Sequence, residues 1–339
     1  MSRQENNREN TLDYKNIIGE DSMNDYKIIQ YRMSLLEEFQ SSYKGNEEYK
    51  KRFDKNKRGQ LKKLAIANGI DVKQSIPARI ASRIGLTVQK WDREAHGDKT
   101  VFQYFKKLLD SGEINFAQFY TERVKYGDFK IGVYGNKKIS KEFFCLNAES
   151  ALNCSSNACG DCTLGEQCYA RAIEGRFNGT YLKNELMRFY WATSSAKEIA
   201  EDIVILGANK TSHYIQGVRF NVNGDFTNQE VLDKASEIAE RLIEYNIVCY
   251  GYTHRTKLNL DSISPHLVVN GSTNKVPTDT KFLAVEEAQI PSNAENLCPC
   301  ASDSEKQCGI DCCMCMAGDG RVIYEKLRGT SPKELKEFM

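Results

Sequence analysis

The sequence predicts an α/β fold, in which a partial parallel β/α barrel-like domain with cysteine-rich metal loops follows a helical N-terminal domain. Three observations lead to this prediction. Apolar residues recur at three- and four-residue steps over residues 26–126, which is typical of helices. A strand, an amphipathic helix and a second strand follow one another over residues 214–255, which is the pattern of a parallel crossover. Ten of the twelve cysteines fall into two clusters.

Length and composition describe an ordinary globular chain. The 339 residues are enough for two domains, and 40% are hydrophobic and 27% charged. The first residues are polar, and no stretch approaches the roughly 18 apolar residues that span a membrane. We therefore expect a cytoplasmic protein with no membrane partner. In a reducing compartment, crowded cysteines favour metal binding over disulfides.

Residue composition and hydrophobic periodicity divide the chain into four segments. The expected segments are a flexible arm (1–25), a helical domain (26–126), a β/α domain with the first cysteine cluster (127–290) and a cysteine-rich metal-binding tail (291–339).

Within the β/α domain, six segments predict strands and residues 228–246 predict a helix. The strand segments are 129–135, 141–148, 214–226, 247–255, 264–272 and 280–288. In such folds the functional residues lie at the carboxyl ends of the strands.

The helical domain contains a strongly basic segment. Residues 50–63 hold eight Lys and Arg against a single acidic residue, Asp54. Residues 76–94 have the rhythm of a helix-turn-helix with a turn at Gly85, and residues 59–84 resemble the SAP module, a small DNA-binding motif. One interpretation is contact with DNA or RNA, and the other is a solvated helical surface.

The first cysteine cluster has the spacing C-x4-C-x2-C-x5-C, formed by Cys154, Cys159, Cys162 and Cys168. Cysteine pairs two residues apart supply half of a tetrahedral zinc site. The alternative is an iron–sulfur cluster, 4Fe-4S in type, on a loop that contains glycine. The position of the cluster after a strand and before a helix favours iron–sulfur, because a reactive cofactor belongs at the mouth of a β/α unit.

The tail carries six cysteines within eighteen residues, and four ligands suffice for one metal centre. The most regular subset is Cys298, Cys308, Cys312 and Cys315, with Cys300 and Cys313 as close rivals. The sequence predicts either zinc or an auxiliary iron–sulfur cluster at this centre and does not favour one over the other. Cys145 and Cys249 stand alone, and we expect them to be buried as small apolar side chains.

Three further polar residues end predicted strands. Asp225 ends one strand, where it either caps the following helix or takes part in a site. His254 and Arg255 end the next strand; the arginine is suited to bind a carboxylate or phosphate, and the histidine is either structural or catalytic. Parallel strands would bring all three to one edge, so we expect them to be catalytic residues.

Motifs in residues 128–318 resemble the phage gene product 88 family. The matching elements, in order, are Gly135, Asn136 and Lys138; Cys168, Tyr169 and Ala170; Asn184 and Arg188; Gly224, Asp225 and Phe226; Gly251, Tyr252, Thr253 and Arg255; and the cysteine-rich tail. Here His254 is inserted before Arg255, and both clusters have extra cysteines. The resemblance implies a metal cluster but no established reaction.

A more distant likeness to radical SAM enzymes implies a mechanism. Their second strand ends in a turn that binds the amino group of S-adenosylmethionine (SAM), and Asn223, Gly224 and Asp225 are similar in position, with Tyr169 beside the cluster. The C-x3-C-x2-C spacing of those enzymes is absent from the first cysteine cluster. The expected function is a phage-type iron–sulfur enzyme acting on a nucleotide or nucleic acid. The alternative is a non-enzymatic, zinc-stabilised protein for nucleic-acid binding or host takeover.

Overall fold

The structure is a computed structural model. It describes residues 21–45, 47–153, 168–209, 213–285, 289–302 and 305–326. Cys154, Cys159 and Cys162 of the first cluster lie outside these residues, as do residues 1–20 of the predicted arm.

Helices make up the N-terminal part of the chain. They are α1 (Asp21–Tyr43), α2 (Glu47–Ala67), α3 (Ile76–Arg83), a 3-10 turn (Glu94–His96), α4 (Val101–Asp110) and α5 (Phe116–Lys125). Capping boxes begin α4 and α5, where Thr100 and Asn115 accept backbone N–H groups that would otherwise lack partners. The predicted helical region is therefore confirmed, and α1 begins inside the predicted arm.

The predicted helix-turn-helix is wrong in its second helix. Residues 86–92 have no helical structure, and the backbone N–H of Gln89 donates to the carbonyl of Lys125 at 2.8 Å. The segment is tied to the end of α5 instead of forming a recognition helix.

The rest of the chain alternates strands and helices. The strands are β1 (Val133–Tyr134), β2 (Phe143–Leu146), β3 (Gly217–Phe220), β4 (Val248–Thr253), β5 (Leu267–Gly271), β6 (Lys281–Val285) and β7 (Val322–Lys326). The helices are α6 (Tyr169–Arg176), α7 (Asn178–Thr193), α8 (Ala196–Ala208), α9 (Gln229–Ile243), α10 (Pro299–Ser302) and α11 (Met314–Ala317). Each of the six predicted strand segments contains a strand, and the predicted helix α9 is confirmed. Two strands are much shorter than predicted, because β1 has two residues and β3 ends at Phe220, before Asp225. β7 was not predicted.

The seven strands form one mostly parallel sheet in the order of the chain. β1 pairs antiparallel with β2, and every later neighbouring pair is parallel. The predicted crossover through α9 therefore exists, since it joins the parallel strands β3 and β4. β1 and β7 do not pair with each other in the described residues, so the barrel-like closure stays a prediction.

Alternating side chains divide the sheet into two faces. Leu146, Phe220 and Val269 belong to the face that packs on α7, α8 and α9, which we call the helix face. Phe143, Tyr250 and Val268 belong to the opposite face, which we call the cysteine face. Both faces are buried, as parallel strands require.

The cysteine face is covered by α1 and the cysteine-rich tail. The rings of Phe39 in α1 and Phe143 in β2 meet edge to face with centroids 5.7 Å apart. In the tail, Asn270 Nδ2 donates to the carbonyl of Cys315 at 2.8 Å, and Arg32 Nη1 donates to the carbonyl of Ala317 at 2.7 Å. The tail is thus fixed to the sheet by polar contacts as well as by apolar packing.

The N-terminal helices share the core of the sheet. Leu61, Ile80 and Phe119 belong to the same buried cluster as the helix face. The predicted boundary at residue 126 therefore separates segments of sequence whose apolar side chains pack into one core. None of the helices in the described part of the chain is both long enough and apolar enough to cross a bilayer.

A fully buried carboxylate joins α3 to α7 and α8. Asp202 of α8 is 0% exposed and accepts from Arg79 Nε at 2.7 Å, from Arg83 Nη1 and Nη2 at 2.7 and 2.8 Å, and from the Tyr190 hydroxyl at 2.9 Å. Such a carboxylate is tolerated in the core because all its partners are present.

Removing the Asp202 carboxylate should destabilise the whole fold. We expect Asp202→Ala to lower the free energy of unfolding by about 3 kcal/mol, since Arg79 and Arg83 would lose the buried carboxylate that they share and keep only their partners Glu201 and Glu198. The measurement is urea unfolding followed by circular dichroism. Asp110→Ala is the control, because Asp110 forms an exposed pair with Lys106 and should change stability by less than about 1 kcal/mol. Equal effects of the two substitutions would contradict this role for Asp202.

Candidate functional site

Amide side chains organise the carboxyl ends of β2 and β3. Asn147 follows β2; its Oδ1 accepts the N–H of Val222 at 2.9 Å, and its Nδ2 donates to Asn184 Oδ1 at 2.8 Å. Asn221 follows β3 in the left-handed region (φ 53°), and its Oδ1 accepts the N–H of Ala148 at 3.0 Å. Asparagine suits this position because it tolerates left-handed backbone better than most residues.

The residues that flank the first cysteine cluster are tied together by Glu174 of α6. Glu174 is 0% exposed, accepts the N–H of Leu152 at 3.1 Å, and is hydrogen-bonded to the Ser150 hydroxyl and to Asn184. Cys168 stands at the N-cap of α6. The segment before the cluster and the helix after it are therefore held at one place, although residues 154–167 themselves lie outside the described part.

A cavity of about 190 Å³ lies beside these residues, between the end of β2, the turn after β3 and the first turns of α7. Four amide side chains line it, together with the Lys183 ammonium and the Cys145 thiol: Asn136, Asn147, Asn184 and Asn223. These amides come from three parts of the sequence: the residues around β2, the helix α7 and the turn after β3. Asn136 and Asn184 belong to the motifs that carry the family resemblance, and Asn223 directly precedes the motif that begins at Gly224. The fold therefore gathers these motifs at one place.

Lys183 gives the cavity its charge. Burial lowers the pKa of its ammonium group, and the nearby Cys145 thiol acts in the opposite direction. Within the described residues, no carboxylate lines the cavity. The first turn of α7, at Gly179 and Thr180, also lines it and adds the positive end of a helix dipole. The cavity is thus suited to an anionic or amide-like group.

Asp225 lies in the turn after β3, outside the lining of this cavity. It is 8% exposed, and its carboxylate accepts the N–H of Phe226 at 2.6 Å and of His254 at 2.8 Å, as well as a bond from Thr253. Burial raises its pKa to about 6, while these hydrogen bonds and the charge of Arg255 act in the opposite direction. Asp225 therefore joins the end of β3 to the end of β4. The cap of α9 is Asn228, whose side chain accepts from Val231.

His254 and Arg255 follow β4, as the sequence predicts, and lie next to Asp225. The His254 side chain is half-buried, burial lowers its pKa, and its Nδ1 has no hydrogen-bond partner in the described residues. Arg255 is half-buried, and its charge acts on Asp225. The three predicted catalytic residues are thus brought together, and their catalytic role stays a prediction.

The position of Gly224 favours glycine over other residue types. Its φ is +80°, in the left-handed region, and a Cβ there would lie 3.0 Å from the carbonyl oxygen of Glu149. Gly224 thereby lets the turn that carries Asn223 approach residue 149. Binding of a cofactor by Asn223, Gly224 and Asp225 stays a prediction. Tyr169 begins α6, but its side chain lies outside the described part of the chain.

Five of the six tail cysteines pack together: Cys298 and Cys300 are buried with Ile323, and Cys308, Cys312 and Cys315 pack against them. The thiol of Cys300 is hydrogen-bonded to those of Cys298, Cys308 and Cys312, which raises its pKa. Cys315 instead contacts Tyr252, and burial raises its pKa. No three His, Cys, Asp or Glu side chains among the described residues are already arranged as ligands of a metal ion. Cys145 and Cys249 are buried, as expected.

Sequence patterns alone miss Asn147 and Lys183. Asn147 directly follows a strand, so its position at a strand end was a usable signal, whereas Lys183 is one lysine on an amphipathic helix and gives none.

Comparison with known proteins gives one match. Residues 128–287 match the family model described as Gene product 88. The matched segment runs from just before β1 to the end of β6 and excludes the N-terminal helices and the tail cysteines. No curated protein and no solved structure matches the chain. The comparisons lend no support to the radical SAM likeness, which stays a prediction.

Asp225 should make stability depend on pH. Its pKa is raised from 3.8 to about 6 on folding, so the folded state binds this proton more tightly and the contribution to stability is lost as pH rises through 6. We expect the stability of the wild type relative to Asp225→Asn to fall by about 1.4 kcal/mol between pH 5 and pH 7.5. Urea unfolding at both pH values measures this.

The control for this experiment is Asp261→Asn, which removes an exposed carboxylate from the segment after β4. It should keep the pH dependence of the wild type. A pH-independent difference between the wild type and Asp225→Asn would show that Asp225 is not protonated in this range.

Proposed function

We propose that this protein is an iron–sulfur metalloenzyme whose cluster is held by Cys154, Cys159, Cys162 and Cys168, and whose ligand enters the adjacent cavity. The observation that carries the proposal is the cavity itself: its lining contains Lys183 and four amides, and it adjoins the residues that flank the cysteine loop. A concave polar site at the carboxyl ends of parallel strands is where α/β folds place ligands.

The size of the cavity limits what it holds. Sites for complete small-molecule ligands usually enclose about 300–1,000 Å³, whereas this cavity encloses about 190 Å³. It therefore suits one end of a larger molecule. A carboxylate or phosphate group would pair with the Lys183 ammonium, and the amides of Asn147 and Asn184 would orient it through hydrogen bonds.

The flanking residues fit a thiolate-held cluster. Glu174 holds the strand side of the loop against α6, and Cys168 lies at the first turn of that helix. Four cysteines form a suitable donor set for 4Fe-4S, and zinc is the alternative metal. When bound, a reduced cluster supplies single electrons, which radical SAM enzymes use to cleave SAM.

We propose SAM as the cofactor of this enzyme and a nucleotide or nucleic acid as its substrate. SAM carries both a carboxylate and an ammonium group, so Lys183 would hold the first. The predicted acceptor of the ammonium is Asp225, whose carboxylate already accepts three hydrogen bonds out of about four that it can take. We therefore propose that Asp225 chiefly positions the turn that carries Asn223.

Metal analysis and ligand binding test the proposal. We expect protein purified without oxygen to contain iron and sulfide and to cleave SAM when reduced. We expect Lys183→Met to bind SAM at least tenfold more weakly in calorimetry, because the carboxylate loses its cation. Lys197→Met is the control, since Lys197 is exposed on α8. A colourless protein that contains only zinc would overturn the proposal, and unchanged SAM binding by Lys183→Met would overturn the assignment of the cavity.

A second function, nucleic-acid binding, is favoured by one surface of α2. Five exposed basic residues lie within an arc of about 120° over about 18 Å of the helix: Lys51, Arg52, Lys55, Lys62 and Lys63. None of the five has an ion pair in the described residues. Asp54 is outside the arc and is bonded to Tyr43. Such a surface would contact phosphates, and the alternative remains a solvated helix.

Charge reversal on α2 tests this second function. The triple variant Lys51→Glu, Lys55→Glu, Lys62→Glu should weaken binding to DNA or RNA and reduce the salt dependence of the affinity by about one unit of slope per lost contact. The control triple variant is Lys90→Glu, Lys99→Glu, Lys275→Glu, which makes the same change in net charge at scattered exposed positions. Equal binding by both triple variants would refute the α2 surface.

A further inference from the structure

We infer that Asn136 is the specificity-determining residue of the cavity, and that the cavity selects an oxyanion, which only accepts hydrogen bonds, over neutral or cationic groups. The inference deepens the proposed function and rests on it for the location of the ligand, but it requires neither a metal nor the cleavage of SAM. Asn136 lies in the turn between β1 and β2 and lines the cavity together with Lys183.

The turn fixes the side-chain amide of Asn136. Its Oδ1 accepts the N–H of Lys138 at 2.8 Å and the N–H of Ile139 at 2.9 Å. An amide oxygen has two lone pairs, so these two bonds use its capacity. Asn136 therefore offers a ligand the N–H groups of its Nδ2, neither of which donates to another described residue.

Backbone contacts hold the turn in this shape. Gly135 has a φ of +51°, and a Cβ there would overlap the carbonyl oxygens of Ile139 and Ser140. The N–H of Gly135 donates to the carbonyl of Phe143 in β2 at 2.9 Å, and the N–H of Asn136 donates to the carbonyl of Ile139 at 2.9 Å. The amide is thus set before a ligand arrives, which reduces the cost of binding.

The other amides of the cavity are committed in the same direction. Asn147 Oδ1 accepts from Val222 at 2.9 Å and from Asn223 at 3.4 Å. Asn147 and Asn184 each keep one N–H for a ligand, because the first donates to Asn184 and the second to Glu174. The amide of Asn223 forms no hydrogen bond within the described residues and can turn either its oxygen or its nitrogen to a ligand.

The side chains of the lining therefore present mainly N–H donors. About seven such hydrogens come from the Lys183 ammonium and from three of the amides. Within the described residues no carboxylate lines the cavity to accept them. A carboxylate or phosphate accepts hydrogen bonds from several directions and has the charge opposite to that of Lys183, whereas an alcohol or ammonium group would bring further hydrogens. The lining is thus complementary to an oxyanion.

Two molecules of the proposed function carry an oxyanion: SAM has a carboxylate, and a nucleotide has a phosphate. Each has an analogue without that group, namely decarboxylated SAM and adenosine. Comparison of SAM with decarboxylated SAM, and of adenosine monophosphate with adenosine, isolates the contribution of the oxyanion, because all four contain an adenine nucleoside. The pair that the protein discriminates shows which source of the oxyanion the cavity accepts.

Calorimetry of the full-length protein with these two pairs tests the inference. In the wild type we expect at least one pair to differ in affinity by about tenfold or more in favour of the oxyanion. Asn136→Asp should reduce that ratio to about threefold or less, because it keeps the Oδ1 that holds the turn and replaces the N–H donors by an anionic oxygen. The ratio compares two ligands on one variant, so a change in stability does not alter its meaning.

Asn259→Asp is the matched control, because it makes the same change in net charge at an exposed residue outside the cavity. It should keep the ratio of the wild type. Ratios near one for both pairs in the wild type, binding of none of the four ligands, or an unchanged ratio in Asn136→Asp would each overturn the inference.

The outcome is distinguishable from that for the proposed enzyme. Discrimination that depends on Asn136 in a protein without iron would keep this inference and overturn the metalloenzyme. Iron content and SAM cleavage, combined with an unchanged ratio in Asn136→Asp, would keep the enzyme and overturn the role of Asn136.

Discussion

The fold depends on one constraint: a parallel sheet must be covered on both faces. Helices cover the helix face, as they do in most α/β proteins. On the other face α1 and the cysteine-rich tail share this role, and Phe39 and Met316 lie in the same buried cluster. The tail is therefore part of the core, and any metal it binds would stabilise the sheet as well as the tail.

At the carboxyl edge of the sheet, polar side chains bind chiefly to backbone groups. Asn147 and Asn221 bind backbone groups of the neighbouring connection, and Asp225 does the same one strand further on. These bonds set the shapes of the turns, and the turns bring Asn223 to the cavity next to Lys183. Motif residues far apart in sequence thus owe their proximity to amide and carboxylate bonds to the backbone.

The sequence predicted those strands and helices whose formation depends on hydrophobic periodicity and turn residues within the segment itself. The strands from β1 to β6 and the helix α9 have clear periodicity, and turn residues mark their ends. β7 was missed because its five residues follow a long cysteine-rich segment. The helix-turn-helix failed because residues 86–92 are tied to the end of α5 by the bond from Gln89 to Lys125, which no local pattern contains. Spacing could not choose among the tail cysteines, because five of them, including Cys300 and Cys315, pack into one cluster in the folded chain.

The bonds made by Glu174 have a consequence for any metal in the first cysteine loop. By joining Leu152 to α6, they fix the residues that flank the loop before a metal arrives. Cysteines carried on such a loop act as a chelate, in which each bound thiolate raises the effective concentration of the next. Part of the entropic cost of closing the loop is then met by folding. A metal in this segment would therefore join ends of the chain that folding has already brought together.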